Sequence, residues 1–311
     1  MIREHVPAAR RATSVAAVVV AYFPTNEILR LIDCLVACLG RVLIVDNTPG
    51  LSPLLSSLAR TDVTLIASGE NLGVAGAYNL AVSLLVEQAT HIKYLFLFDQ
   101  DSTPDVACLW TLIDAMDQAK SELRVAQVGP AYFEKRRAFF PPLIHVGRFW
   151  VRRLAVQEAE PMQPVSYMIS SGTLLSLEAA QAVGCFDESL FIDYVDVEYG
   201  LRCQRNGFVS LIATKATMEH SIGEAALRLG RWTLPSHSPI RRRYQVRNAI
   251  LLLRRSDIPL AWKISELVRV VLRIIFALAA SRMSYSVLSS WFLGLRDGVM
   301  GRGGKIDGSE P

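Results

Sequence analysis

The sequence predicts an α/β fold in which a mostly parallel central sheet carries helices on both faces. In the first half of the chain, short apolar segments alternate with helix-like segments of about 10 to 15 residues, a pattern typical of βαβ units. The apolar segments are SVAAVVVAY, RVLIVDN, VTLIAS and YLFLFDQD. Polar residues follow them directly, and in such sheets ligands bind at the carboxyl ends of strands. We therefore expect a binding site where these segments end.

The composition excludes several classes of protein. The chain has 311 residues, of which 51% are hydrophobic, so it can bury a large core and is not a disordered protein. Lys and Arg number 33 against 29 Asp and Glu, and this balance does not favour a nucleic-acid partner. The five cysteines are scattered and form no CxxC pair, which indicates reduced thiols in a cytosolic protein rather than zinc ligands.

The first apolar segment resembles the core of a signal peptide, because Arg10 and Arg11 precede it. The segment is rich in valine, stops at Pro24 and is followed by similar segments. We therefore predict that it forms the first strand of the sheet. The segments TNEILRLIDCLVACL, VAGAYNLAVSLLVEQ and DVACLWTLIDAMDQA then have apolar residues at helical spacing. After Pro130 a basic and aromatic stretch, FEKRRAFFPPLIHVGRFWVRR, predicts a hairpin or a mobile loop. The segments VSYMISSGTLL and VSLIA predict further strands.

We predict a boundary near residue 230, with one domain over 1–230 and a basic, amphipathic helical region over 231–311. The stretch ELVRVVLRIIFALAASR is the only candidate for a membrane span, but Arg269 and Arg273 interrupt it. With Lys263 and Glu266 these arginines fall on one helical stripe, so the helix is amphipathic. It could pack on the core or lie on a membrane surface, and the neighbouring Arg241–Arg243 and Arg254–Arg255 keep the second reading open.

Two carboxylates, Asp99 and Asp101, follow the strand YLFLF in the stretch DQDSTP. In an extended backbone the side chains of residues i and i+2 lie on the same face, so Asp99 and Asp101 point in the same direction. A helix N-cap explains one acid, whereas the second costs repulsion unless a cation lies between them. Hard oxygen ligands at a rim suit Mg²⁺ or Mn²⁺ that also carries phosphate oxygens. A DxD pattern alone arises often by chance.

The same residues, those of the stretch DQDSTP, support a second interpretation. A strand that ends in DxDxT, with Asp99, Asp101 and Thr103, also resembles the haloacid-dehalogenase-like phosphatases, in which Asp99 would be the nucleophile and Asp101 an acid/base. Those proteins usually carry this strand near the start of the chain, whereas here three strands precede it. We rank the phosphatase second.

The acidic segment FDESLFIDYVDVEYGLR is the second concentration of carboxylates. For Asp187, Glu188 and Glu198 a solvated helix N-terminus is sufficient explanation. Asp193 and Asp196 lie three residues apart at the helix start, where both could face a cleft and act as a base.

Three weaker features accompany these acids. No GxGxxG follows the first strand, so a dinucleotide site is not indicated. The short GVAG at Gly73 either allows a close helix–sheet crossing or borders a ligand. A lone histidine such as His220 is more often a hydrogen-bonding group than a ligand, although a metal in the cleft would change this. Arg247, in YQVRN, either binds phosphate or sugar or lies on a surface helix.

Taken in order, the motifs VVVAYFP, VDN, ENLGVAGAYN, LFDQDS, SSGTLLS, GCFDESLFIDYVDVEYGLR, EHSIGE and YQVRN resemble those of the inverting family 2 glycosyltransferases of the GT-A fold. Among these they resemble the rhamnosyltransferases that build bacterial cell-surface glycans and glycolipids. The resemblance covers residues 15–248 and is more specific for the fold and reaction than for the sugar. It implies a GT-A domain followed by a helical C-terminal extension.

The resemblance also implies a role for each matching residue. Donor-binding residues would be Tyr22, Pro24, Asp46, Asn71, Gly73, Asn79, Asp99, Asp101 and Arg247. The metal ligands would be Asp101, Asp99 and His220, and the acceptor would lie near Ser171 and Gly172. Asp196 would be the catalytic base, with Asp193 as the other candidate.

The same resemblance implies the substrates and the cofactor. It implies dTDP-L-rhamnose as first donor, a UDP-sugar as second, Mg²⁺ or Mn²⁺ as cofactor, and a glycan or lipid-linked acceptor. Departures are Asn47, where many relatives have a second acid, and Val195 before Asp196. The expected location is cytoplasmic, peripheral on the inner face of the cytoplasmic membrane. A non-catalytic sugar-nucleotide-binding subunit is a third possibility, which the intact Asp101 and Asp196 disfavour.

Overall fold

The structure is a computed structural model that describes residues 11–58, 60–88, 91–134, 139–220, 225–229, 232–236, 238–280 and 285–306. The strands are β1 (Ala12–Ala21), β2 (Leu39–Asp46), β3 (Val63–Ala67), β4 (Tyr94–Asp99), β5 (Val125–Glu134), β6 (Leu143–Val146), β7 (Val151–Leu154), β8 (Met162–Val165), β9 (Thr173–Ser176), β10 (Val209–His220), β11 (Ala225–Leu229) and β12 (Trp232–Ser236). The helices are α1 (Glu27–Cys38), α2 (Pro53–Ser56), α3 (Gly73–Glu87), α4 (Val106–Lys120), α5 (Leu177–Val183), α6 (Val195–Arg205), α7 (Pro239–Arg254), α8 (Leu260–Ala280) and α9 (Tyr285–Val299).

The central sheet has eight strands in the order β3-β2-β1-β4-β9-β5-β10-β8. Strands β8 and β9 run antiparallel to their neighbours, and the other six are parallel to one another. The predicted α/β fold with a mostly parallel sheet is therefore confirmed, as are the helices at the C-terminal end of the chain.

The sheet is buried on both faces, which explains the unbroken apolar run of β1. Alternate residues from Val15 to Val20 belong to two separate hydrophobic clusters, one on each face. The first cluster includes α1 and α4, and the second includes α3, α5 and α6. A parallel strand covered on both faces is expected to be hydrophobic throughout rather than alternating. The first apolar segment is therefore a central strand in this fold.

Strand β1 lies between β2 and β4, with Val20 opposite Asp99 in the β1–β4 pairing. The chain leaves β1 towards β2 and β3 on one side and returns to β4 on the other. Ligands of open α/β sheets bind in the crevice where the strand order reverses in this way, outside the carboxyl ends of the strands. This crevice is bordered by Tyr22–Pro24 after β1 and by Asp99–Asp101 after β4.

The basic and aromatic stretch contains a hairpin, in which Leu143 pairs with Leu154 and Val146 with Val151. Of the two predicted alternatives, the hairpin is therefore present over β6 and β7.

Farther along the chain, α7 packs against α9. Among the described helices, none has the length and hydrophobicity needed to cross a membrane. The boundary near residue 230 stays a prediction.

Candidate active site

The crevice at the switch point is closed at its base by Gln100. Its side-chain Oε1 accepts a hydrogen bond from the Tyr22 backbone N–H at 2.7 Å, and its Nε2 donates to the Tyr22 carbonyl at 3.1 Å. The middle residue of the DQD stretch thus joins the ends of β1 and β4. We did not single out Gln100 in the sequence, because an amide between two acids carries no spacing signal of its own.

Phe23 is a second residue that the sequence analysis did not identify. Its φ is 46° and its side chain is 53% exposed. A non-glycine residue with positive φ is strained, and such strain is concentrated at functional sites. Its backbone N–H donates to Thr48 Oγ1 at 2.9 Å, which holds this conformation. An exposed aromatic ring at the rim supplies a surface on which a planar base could stack, beside the half-buried Tyr22 and Pro24.

The two acids of the DQD stretch differ in their surroundings. Asp99 is half-buried, and the Tyr78 hydroxyl faces its Oδ1 at 3.5 Å. Asp101 is exposed at the rim. Two carboxylates in this position fit a hard divalent cation that takes its remaining ligands from phosphate and water. Over the residues that the structure describes, no cluster of three or more His, Cys, Asp and Glu could hold a metal ion, and the His220 side chain lies outside them.

The second acidic segment reaches the site through a strained turn. Phe191, Asp193 and Tyr194 have φ values of 63°, 62° and 66°, and α6 begins directly after Tyr194. Three non-glycine residues with positive φ in four positions cost about 1–3 kcal/mol each and persist only where surrounding contacts determine them. The segment 191–194 is therefore held by its neighbours rather than by local preference.

Helix α7 supplies the contacts that hold this segment. Asn248 Nδ2 lies within hydrogen-bonding distance of three carbonyl oxygens of the turn, at 2.8–2.9 Å; these belong to Leu190, Ile192 and Asp193. Arg247 is only 2% exposed, and its guanidinium donates to the carbonyl oxygens of Ser189, Leu190 and Gly304. A direct contact of Arg247 with the donor stays a prediction. In the structure Arg247 is part of the support of the segment.

Asp196 is half-buried near the start of α6, where its Oδ1 accepts a hydrogen bond from the Val197 backbone N–H at 2.9 Å. It lines a cavity of about 210 Å³ whose walls are mostly apolar, with Tyr132 and Met168 among them. Burial raises the pKa of the Asp196 carboxyl to about 7, and the nearby charges of Asp193 and Asp99 act in the same direction. A carboxylate with a pKa near neutrality is suited to accept a proton from a hydroxyl group.

Asp193, the other candidate base, is engaged in an ion pair. Its Oδ2 lies 3.2 Å from Arg241 Nε, and its Oδ1 accepts from Arg241 Nη2 at 3.3 Å. The charge of Asp193 is thus compensated by α7, whereas the charge of Asp196 faces an apolar cavity. This difference favours Asp196 as the base.

Several residues predicted to bind the donor are buried and have hydrogen-bond partners within the protein. Asp46 is fully buried, and both of its carboxylate oxygens accept backbone N–H groups, from Thr48 at 2.9 Å and Ser52 at 2.7 Å. Asn71 Oδ1 accepts from the Gly73 backbone N–H at 2.9 Å. In the structure Asp46 thus shapes the loop after β2, and its contact with a nucleotide stays a prediction.

Gly73 is required for steric reasons. Its φ is 71°, and a Cβ atom there would lie 2.5 Å from the Phe191 carbonyl oxygen. Asn79 exchanges hydrogen bonds with the backbone of Phe186 and donates to Glu188 Oε1 at 2.7 Å. Both residues join α3 to the acidic segment, so their contacts in the structure are with protein.

Ser171 and Gly172, predicted near the acceptor, are buried behind the DQD stretch. The Ser171 hydroxyl contacts that of Ser102 and accepts from the Asp99 backbone N–H at 3.4 Å. The Gly172 N–H donates to the Leu97 carbonyl at 2.6 Å. Ser171 and Gly172 thus connect the start of β9 to β4, and their contact with the acceptor stays a prediction.

One interpretation of the acidic segment is wrong. Glu198 is not solvated but fully buried, and it forms ion pairs with Arg202 at 2.9 Å and Arg255 at 3.0 Å. The spacing of four residues between Glu198 and Arg202 is visible in the local sequence, but the contact with Arg255 is not, because Arg255 lies 57 residues further along the chain.

The fold, with two acids after β4 and Asp196 at the start of α6, is that of the GT-A glycosyltransferases. Residues 17–184 match the family described as Glycosyl transferase family 2, and the chain belongs to this family. It is 32% identical over 295 residues to the dTDP-rhamnosyl transferase RfbF of Shigella flexneri, covering 93% of this chain and 96% of that protein. It is 28% identical over 229 residues to the N-acetylglucosaminyl-diphospho-decaprenol L-rhamnosyltransferase of Mycobacterium tuberculosis, covering 65% of this chain and 74% of that protein.

Solved structures share the fold. The S. aureus TarS fragment 1–349 in complex with UDP-GlcNAc superposes with a TM-score of 0.55 at 14% identity, covering 93% of this chain and 82% of the fragment. GalNAc-T7, crystallised with UDP, GalNAc and Mn²⁺, superposes with a TM-score of 0.53 at 12% identity and 77% coverage of this chain. The chain spans 47% of the length of GalNAc-T7. At such identities the likeness establishes the fold alone.

Proposed function

We propose that the protein transfers L-rhamnose from dTDP-L-rhamnose, with inversion, to a hydroxyl of a glycan or lipid-linked acceptor in bacterial cell-surface polysaccharide or glycolipid synthesis. The observation that carries the reaction is Asp196, whose pKa is raised to about 7 at the wall of a cavity. The donor is supported by the names of the two curated relatives, which are both rhamnosyltransferases. The name of one relative includes a decaprenol-linked acceptor, which supports a lipid-linked acceptor here.

In this proposal Asp196 accepts the proton of the acceptor hydroxyl as that oxygen attacks the anomeric carbon from the face opposite the diphosphate. The strained segment 191–194 and its α7 contacts hold the carboxylate in position. Asp99 and Asp101 are the residues that would hold Mg²⁺ or Mn²⁺, with His220 as a further candidate. That cation would supply positive charge to the leaving diphosphate. Phe23, Tyr22 and Pro24 would border the nucleotide base.

Two alternatives have less support. Membership of a glycosyltransferase family argues against the phosphatase in which Asp99 is the nucleophile. A non-catalytic sugar-nucleotide-binding subunit would have no use for a desolvated carboxyl, since keeping Asp196 ionised in an apolar cavity costs stability. We further propose a cytoplasmic location on the inner face of the cytoplasmic membrane, with contact through the C-terminal region.

The proposal is tested with the donor nucleotide. We expect dTDP, in the presence of Mg²⁺ or Mn²⁺, to raise the melting temperature more than UDP or GDP does, since a ligand that binds only the folded state stabilises it. Release of dTDP from dTDP-L-rhamnose should depend on an added acceptor. A larger stabilisation by UDP or GDP would refute rhamnose as the donor sugar while leaving the family unchanged.

A further inference from the structure

Helix α8 buries a mixed inner side, with Trp262 fully buried and Val270 only 6% exposed, and it leaves a broad apolar side exposed to solvent. On the inner side Glu266 is only 2% exposed and pairs with Arg269 at 2.9 Å. On the outer side seven large apolar residues are 45–68% exposed: Leu260, Ile264, Leu267, Val268, Val271, Leu272 and Ile275. An amphipathic helix at the surface of a soluble domain normally buries its apolar side. The outer face of α8 is therefore suited to an apolar environment.

The shape of this face distinguishes between possible partners. At 100° per residue the seven side chains cover an arc of roughly 140°. Lys263 borders the arc on one side, whereas Arg269, beyond its other side, is paired with Glu266 within the protein. A seam between two helices needs only a narrow apolar stripe. A broad apolar arc with a cation at its border is typical of a helix that lies in the plane of a membrane interface.

The hairpin of β6 and β7 carries a second exposed apolar group. Phe149 and Trp150 at its tip are 71% and 58% exposed, and the guanidinium carbons of Arg148 and Arg152 lie 5.3 and 5.9 Å from their respective ring centres. Arg153 is also exposed, and residues 143–154 contain no acid. Aromatic rings beside cationic side chains are enriched at membrane–water interfaces. The hairpin is thus complementary in charge to an anionic surface.

The hairpin and α8 are neighbours in the fold. One groove of about 590 Å³ is lined by Gly147 and Arg148 of the hairpin and by Leu260 and Lys263 of α8. On the other side of the hairpin, Ile144 lines the cavity that contains Asp196. A surface that includes both elements therefore lies next to the proposed acceptor site.

We propose that the hairpin tip and the outer face of α8 form one lipid-contact surface, which holds the Asp196 cavity against an anionic bilayer. The inference deepens the proposed function, because it rests on an acceptor that is presented at a membrane. The inference assigns the membrane contact to the hairpin tip and α8, and not to Arg241–Arg243 and Arg254–Arg255, which the sequence suggested. Arg243 pairs with Asp297 at 2.5 Å, and Arg255 pairs with Asp187 at 2.7 Å, so these cations are used within the protein.

The test is binding of the full chain to vesicles, which does not depend on catalysis. Phosphatidylcholine vesicles with and without phosphatidylglycerol are compared by flotation, for the wild type and three variants. Phe149→Ser/Trp150→Ser should lower the partition coefficient at least about tenfold, since each aromatic side chain that is buried in the bilayer adds to the free energy of membrane binding. Leu267→Ser/Val271→Ser should act similarly. Arg148→Gln/Arg152→Gln should weaken binding to anionic vesicles alone, by about fivefold for each charge removed.

Leu123→Ser is the matched control, because Leu123 is 46% exposed but lies outside this surface. It should bind vesicles like the wild type. Melting temperature with and without dTDP shows whether each variant keeps its fold and its donor site. In vesicles with brominated acyl chains, tryptophan fluorescence should be quenched in the wild type and much less in Trp150→Phe.

Three results would overturn the inference: no binding of the wild type to anionic vesicles even at low ionic strength, equal binding by the variants, or equal quenching in Trp150→Phe. Concentration-dependent dimerisation that Leu267→Ser/Val271→Ser abolishes, without vesicle binding, would assign the face to a second copy of the chain. Absence of vesicle binding together with rhamnose transfer from dTDP-L-rhamnose would refute this surface and leave the proposed function intact.

Discussion

The hydroxyl of Tyr194 donates a hydrogen bond of 2.6 Å to Glu266 Oε1, and this contact joins α8 to the strained segment before Asp196. Arg273 Nη1 lies 3.0 Å from the same hydroxyl. The ring of Tyr194 meets that of Trp262 edge to face, with centroids 6.2 Å apart. A residue with positive φ two positions ahead of the proposed base is thus fixed by the helix that presents the lipid-contact surface.

We predict that Tyr194→Phe alters the chemistry more than the donor site. Loss of the hydroxyl leaves a buried carboxylate with one partner fewer, which should cost about 1–3 kcal/mol of unfolding free energy. The segment 191–194 should relax, so turnover should fall and the pH at which activity is half-maximal should shift. Unfolding in urea and a pH–rate profile measure these effects.

Tyr94→Phe is the matched control for this change. The Tyr94 hydroxyl also donates to a carboxylate, Asp117 Oδ1 at 2.9 Å, but at the opposite end of β4. This variant should keep the wild-type pH profile. If both variants change the profile equally, Tyr194 has no particular role in positioning Asp196.

We predict that Asp196→Asn removes the base without removing the donor site. A positioned general base contributes about 10²–10⁴-fold to the rate, so turnover should fall by that factor while dTDP affinity stays nearly constant. Asp193→Asn is the comparison: it should lose stability through the broken contact with Arg241 and retain more activity. A larger loss of turnover in Asp193→Asn than in Asp196→Asn would show that the base was assigned to the wrong carboxylate.

The sequence predicted the order of elements well, because burial on both faces forces long apolar strands such as β1. It also predicted that Asp46, Asp99 and Asp101 follow strands at one edge of the sheet, since the carboxyl ends of parallel strands meet there. It could not separate residues that face the crevice from those that support it. Asp46 has the same local pattern in either case, and only its contacts with the backbone of the following loop show that it is buried.

Long-range contacts account for the other differences. Arg247 contacts the Leu190 carbonyl just before the segment 191–194, and Asn248 contacts the segment itself, in each case across more than fifty residues of sequence. No periodicity reveals such a contact. The orientation of α8 was also hidden, because an amphipathic pattern states that a helix has two faces but not which one meets the protein.

The activity should rise with pH through about pH 7. Burial raises the pKa of Asp196 to about 7, so the base is protonated and inactive below that pH. kcat/KM should increase tenfold per pH unit below about 6.5 and level off above about 7.5, if Asp196 is the group that titrates in the free enzyme. A flat profile between pH 5 and pH 8 would contradict the assignment.

Stability should depend on pH through the same carboxyl, in the opposite sense. The pKa of Asp196 is raised to about 7 in the folded state, so between the ordinary value and 7 the folded chain holds a proton that the unfolded chain has lost. Unfolding free energy should fall with rising pH in this window by roughly 1.4 kcal/mol per pH unit from this group, and remain constant above it. The difference between wild type and Asp196→Asn isolates this contribution, since the asparagine does not titrate.

Arg247→Lys should test whether this residue supports the turn or binds the donor. A lysine cannot reproduce the guanidinium contacts with the carbonyls of Ser189, Leu190 and Gly304, so unfolding free energy should fall by about 2–4 kcal/mol. Below the melting temperature, dTDP affinity should stay near that of the wild type while turnover falls.

Arg254→Lys is the control, because Arg254 donates hydrogen bonds to the carbonyls of Gly298 and Val299, away from the turn. A selective loss of dTDP affinity in Arg247→Lys would instead make it a donor ligand.

Asp101→Asn should separate metal-assisted donor binding from binding by the protein alone. Asp101 is exposed at the rim, so its replacement should leave the unfolding free energy within about 0.5 kcal/mol of the wild type. The rise in melting temperature that dTDP causes should depend on Mn²⁺ in the wild type, and this dependence should disappear in the variant, because one of two carboxylate ligands has been removed.

Glu70→Gln is the matched control, since Glu70 is exposed after β3 and its replacement changes the charge equally. Melting curves with dTDP, Mn²⁺ and excess chelator measure all three proteins. If Asp101→Asn and Glu70→Gln keep the same Mn²⁺-dependent shift as the wild type, the metal is not held by the DQD stretch. If dTDP stabilises the wild type equally in excess chelator, donor binding requires no metal, and Asp99 and Asp101 contact the nucleotide in another way.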